Sequence, residues 1–143
     1  GAIGELPGLI EGFLHATAGR GGPAALHWPE PANVAAVAAR IGPNAVPMIL
    51  NLCLLVIEAQ PMCRSLTLKV DAAAGRVIAV AEGDAARPGA WRPEVGEILN
   101  GAAIAPTAKS IQIHLLRALA SQAGGRVGIE SNGPALQAAF SSP

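Results

Sequence analysis

Between Asn44 and Gln60 the chain carries Val46, Met48, Ile49, Leu50, Leu52, Cys53, Leu54, Leu55, Val56 and Ile57. A helix that is apolar almost all round offers water no face, so it is normally sandwiched between layers of other elements. Pro47 fits only near its first turn, where a missing N–H is no loss. The run is too short to span a bilayer and holds Asn51, so it is expected to be a core helix. No basic stretch followed by an apolar core stands at the N-terminus, so no signal peptide is visible and the cytoplasm is the expected location.

The rest of the chain supplies the layers. Residues 4–19 place Leu6, Leu9, Ile10, Phe13 and Leu14 at helical spacing, ended by Gly21, Gly22 and Pro23. Ala25 to Trp28 reads as a short strand closed by Pro29 and Pro31, and residues 33–41 read as a short helix. Residues 65–70 and 76–82 alternate in the manner of a hairpin. Residues 93–99 follow as a helix with Pro93 at its first position. Residues 107–123 read as an amphipathic helix buried on Ile111, Leu115, Ala118 and Leu119, capped by Thr107 and stopped by Gly124 and Gly125. Residues 126–130 and 135–140, joined by an Asn132-Gly133 turn, form a second hairpin.

This order predicts one α+β domain over residues 1–143, a two-layer sandwich with helices on one face of a mixed, largely antiparallel sheet. At 51% apolar and 14% charged, the composition is that of a globular chain. Ten basic residues balance ten acidic ones, so no strong field attracts nucleic acid or an anionic membrane. Trp28, Trp91, Phe13 and Phe140 are the only aromatic residues, too few for base stacking. Cys53 and Cys63 lack a neighbouring His at ligand spacing, and neither a disulfide nor a metal site is expected.

Three segments resemble the ATP-binding domain of sensor histidine kinases, the GHKL or Bergerat fold. Leu50 to Pro61 follows the N-box helix, with Asn51 at its first Asn. The Asn that helps hold magnesium in that family falls on Leu55, which has no oxygen for a hard cation. After the hairpin, Glu82 stands near the adenine-binding Asp, but Asp84 and Ala86 replace the two glycines of that motif. The phosphate cradle, which depends on bare backbone N–H groups, aligns with the glycine-free stretch from Ala108 to Gln112. Leu119 to Ser131 matches the scaffold that follows the cradle.

A kept scaffold with lost ligand contacts resembles, more narrowly, a ChpT-like histidine phosphotransferase. The resemblance lies in Ile49 to Pro61, in Ala81 to Arg87 and in Ala108 to Gln112, while Pro61 to Arg64 departs from the usual Pro-Arg-Gly-Gly. It implies a degenerate kinase ATPase-like domain that binds no ATP and no other cofactor. It also implies a phosphorelay role as an accessory domain that docks the receiver domain of a response regulator; the alternatives are a non-catalytic interaction module on the kinase scaffold and a divergent ATP-binding domain that grips nucleotide through Glu82. Family members are homodimers through an N-terminal hairpin that carries the phosphoacceptor His. No such hairpin is found in this chain, which starts about where the second domain should begin, so the piece alone is expected to be monomeric.

No catalytic, cofactor-binding or metal residue is assigned. His27, beside Trp28, is expected to be packed or hydrogen-bonded, and His15 to be a solvated residue near a helix end. His114, with Arg117 nearby, sits on the helix bordering the former phosphate site, in scaffold context and not in a phosphotransfer motif. Arg87, Arg92 and Lys109 gather around the loop that would be an ATP lid, as a docking patch for an acidic receiver or as simple loop solubility. Ser110 has no evident Asp partner and no Gly-x-Ser-x-Gly elbow exists, so hydrolase chemistry has no support.

Overall fold

A computed structural model describes residues 2–19, 22–86 and 88–143. The order is α1 (Ala2–Ala16), β1 (Ala25–His27), α2 (Pro31–Ile41), α3 (Ala45–Ala59), β2 (Ser65–Asp71), β3 (Arg76–Glu82), α4 (Pro93–Leu99), α5 (Ile111–Gln122), β4 (Arg126–Asn132) and β5 (Ala135–Ser141). The strands form one sheet in the order β1-β2-β3-β5-β4. Only the short β1 runs parallel to its neighbour, and every other pair is antiparallel. This is the expected α+β sandwich.

Alternation decides which face the helices cover. Leu66 and Leu68 on β2, Val77, Ala79 and Ala81 on β3, and Leu136, Ala138 and Phe140 on β5 are buried. Their neighbours Thr67, Ile78, Val80 and Gln137 are only half-buried on the open face. α3 crosses the covered face with Met48, Ile49, Leu52, Cys53 and Val56 fully buried. α1, α2 and α5 pack around it. Burying that many large side chains, at roughly 1.5–3 kcal/mol each, makes α3 the axis of the core. Gly42 ends α2, and the chain turns through 111° into α3. No single helix among the described residues is long and apolar enough to cross a membrane.

Several local expectations need correction. α5 begins at Ile111, because residues 107–110 close on themselves as a turn: the Ser110 and Ile111 N–H groups both donate to Thr107 O. Thr107 therefore does not cap the helix, and its own N–H donates to Ser110 Oγ at 2.9 Å. The buried face of α5 is Ile113, Leu116, Leu119 and Ala120, while Ile111, Leu115 and Ala118 are exposed. On α1, Leu6, Ile10 and Leu14 are buried but Leu9 and Phe13 are exposed. Pro31 opens α2 rather than closing the strand before it. β4 runs on to Asn132, so the turn residues are Gly133 and Pro134; Gly133, at φ 61°, has the glycine-first pattern of a type II′ turn.

Candidate functional site

The surface beside α3, α4 and α5 brings together Asn51 and Gln112, which lie in two of the segments with the kinase resemblance, and the two amides bond to each other. Asn51, buried on α3, donates through Nδ2 to Pro47 O at 2.7 Å. Its Oδ1 accepts from Gln112 Nε2 at 3.3 Å, which ties α3 to α5. One turn along α3, Leu55 is 4% exposed. It lines a cavity of about 130 Å³ with Glu58, Ala59, Trp91 and Val95.

A strap of residues 88–92 borders that cavity through Ala90, Trp91 and Arg92. Buried Gln60 lies beneath it and donates through Nε2 to Pro134 O at 3.2 Å. Gly83 and Gly89 lie so close over the Gln60 amide that a Cβ at either would meet Nε2 at 2.8 Å or 2.7 Å. At the far end of the strap, Trp91 Nε1 donates to Glu130 O at 2.8 Å. Sequence reasoning missed Gln60, Trp91 and Gln112. The signals present were a lone amide ending an apolar helix and a tryptophan in a loop otherwise rich in Gly, Pro and Ala.

The other expected contacts are dispersed. Glu82 is exposed and shares strand parity with Val80 and Ile78, placing it on the open face of the sheet, away from α3. Asp84 accepts from Ala86 N at 3.0 Å and pairs with Arg64 at 3.3 Å. Arg92 is paired with Glu94, Lys109 is exposed, and Arg87 lies outside the described residues. Of the two that are described, Arg92 thus has its charge already paired.

Of the histidines, His15 and His27 are exposed, which corrects the expectation of a packed His27: it sits on the short edge strand β1, where nothing covers it. His114 is half-buried, and its Nε2 is enclosed with no hydrogen-bond partner among the described residues. Ser110 is fully buried in the turn before α5.

Both cysteines are free. Burial pushes the Cys53 thiol up to about 12. The Cys63 thiol is also raised by burial, partly offset by a backbone hydrogen bond. Among the described residues no three His, Cys, Asp or Glu side chains gather as a metal site. A larger cavity of about 820 Å³ lies on the opposite side of α3, against Leu14, Ile57, Pro61 and Cys63.

Comparison with known proteins places this arrangement. The family model for the histidine phosphotransferase C-terminal domain matches residues 4–135. The chain belongs to this family. A solved bacterial phosphotransferase resembles this phosphotransferase-family domain with a TM-score of 0.58 and 20% identity, over 82% of this chain and 55% of the other. The domain thus spans about half the length of that protein. Full-length ShkA, solved in complex with AMPPNP, resembles it with a TM-score of 0.55 and 13% identity, over 99% of this chain and 29% of the other. At such identities the two structures attest a shared kinase-like fold. No curated protein matches the chain.

Proposed function

We propose that this domain is the accessory, receiver-docking part of a histidine phosphotransferase in a cytoplasmic two-component phosphorelay, and that it binds no ATP. The observation that carries the second half is Leu55. It stands where the kinase N box needs an oxygen ligand for magnesium, and it is buried against a cavity of about 130 Å³. Pockets for small ligands usually run to roughly 300–1,000 Å³. Family membership supports the phosphorelay role.

The partner in this reading is a response-regulator receiver domain. Its own Asp would take the phosphoryl group from a phosphohistidine, with magnesium held by the receiver. α5 supplies a surface suited to such a partner: Ile111 and Leu115 are 55% and 50% exposed, one turn apart, with Lys109 and Ala118 beside them. Apolar centres with charged rims are the usual anatomy of a docking patch.

Two measurements test the reading. Ligand that binds the folded state raises the melting temperature, so Mg-ATP at millimolar concentration is expected to leave the thermal transition unmoved; a clear rise would refute the nucleotide-free assignment. Receiver binding measured by calorimetry is expected to weaken at least tenfold in Leu115→Asp, an exposed position where folding is little affected. Unchanged affinity would move the docking face elsewhere.

A further inference from the structure

β4 is the last strand of the sheet, paired with β5 along all seven residues and, among the described residues, with no strand on its other side. Such rims template the addition of another strand unless something blocks them. Arg126, Gly128 and Glu130 alternate along β4 and are all exposed. They are arranged symmetrically about Gly128, where an added Cβ would meet nothing within 4 Å.

That symmetry has a specific consequence. A second β4 laid antiparallel with its centre on Gly128 sets Arg126 opposite Glu130 of the other copy, twice over. Val127 then faces Ile129, extending the covered side of both sheets. Moving the two-fold centre by one residue in either direction loses both charge pairs. The rim is therefore complementary to itself in one register.

The strap intervenes at one end of this rim. Trp91 Nε1 already occupies Glu130 O. α4, which starts two residues later, packs chiefly on β4 and α5, so the indole comes to β4 from the side of α4. An added strand would compete with the indole for that part of the rim. The strap passes close over Gln60 at Gly89, where an added Cβ would collide with the amide.

We propose that the β4 rim is a pairing surface for a second copy of this chain and that Trp91 holds it closed. Releasing the strap exchanges the indole bond for strand pairing and converts monomer to an edge-paired dimer. This rests on the rim itself and not on the phosphorelay reading.

Sedimentation velocity over a wide concentration range tests it, with circular dichroism confirming the fold of each variant. The wild-type chain is expected to remain monomeric, and Trp91→Phe, which keeps the ring but not the N–H, to dimerise with concentration. Within that variant, Arg126→Glu should weaken the dimer about tenfold. Adding Glu130→Arg should restore it. Trp91→Leu serves as a second way to remove the donor. A wild-type dimer, a folded Trp91 variant that stays monomeric, or a dimer insensitive to Arg126→Glu would each overturn the proposal.

Discussion

Gln112 Nε2 donates to Asn51 Oδ1 at 3.3 Å, so an amide pair ties α3 to α5 at their junction. The same Asn51 donates to Pro47 O one turn back. Both ends of a buried amide are thereby used. Asn51→Ala removes both side-chain bonds and takes a partner from the Gln112 amide, while Pro47 O keeps its helical N–H partner; the loss should cost about 1–3 kcal/mol. Gln112→Ala should cost less, because its partner keeps one bond. Urea titrations of the two variants check the order.

Leu55 marks the clearest departure from a magnesium site. Leu55→Ala opens space in a packed core position and should cost about 2–5 kcal/mol in urea unfolding. Leu55→Asn restores the kinase residue type, yet Mg-ATP is expected to cause no rise in its melting temperature. The glycine-free turn of residues 107–110 and the misplaced Glu82 remain in that variant.

The thiols give a pH dependence with a definite sign. The folded-state pKa of Cys53 is pushed up by burial from 9.0 to about 12. Below the unfolded value both states hold the proton and stability is unaffected. As pH rises from 9.0 towards about 12, the unfolded chain releases the proton first, and stability falls by a few kcal/mol in all. Chemical denaturation at several alkaline pH values should show the slope, and Cys53→Ala should flatten it. At pH 8 a thiol reagent should modify Cys53 only after unfolding.

Gly125 sits where α5 gives way to β4, with its N–H donating to Ala120 O at 2.9 Å. A Cβ there would collide with Ser141 O and the Phe140 ring. The neighbouring backbone cannot yield, and Phe140 is fully buried. Gly125→Ala is expected to lower stability by about 1–3 kcal/mol through this overpacking. Gly128→Ala, which meets nothing, should stay within about 0.5 kcal/mol and is the matched control in the same thermal melts.

Much of the fold could be read directly. The alternation on residues 65–82 and the all-apolar run of α3 left few architectures open, because a strand with one apolar face and a helix with nearly none polar must be layered. The absent glycines and Leu55 were visible as residue types at positions. Other features were not. Residues 107–110 could have joined α5 by periodicity, and only the Ser110–Thr107 hydrogen bonds closed them into a separate turn.

The face of α5 shows why. Ile111 and Leu115 are as apolar as Ile113 and Leu116, and both pairs fit a helical stripe. Their burial depends on how α5 is rotated against α3 and α4, which the Asn51–Gln112 bond and the preceding turn set. Sequence by itself determined the layers, the core helix and the apolar residue at position 55, since these follow from local patterning and residue chemistry. Tertiary structure decided which apolar stripe faces water, what Trp91 bonds and which edge of the sheet is left open. Those depend on contacts between residues tens of positions apart, such as Trp91 with Glu130, for which no local pattern exists.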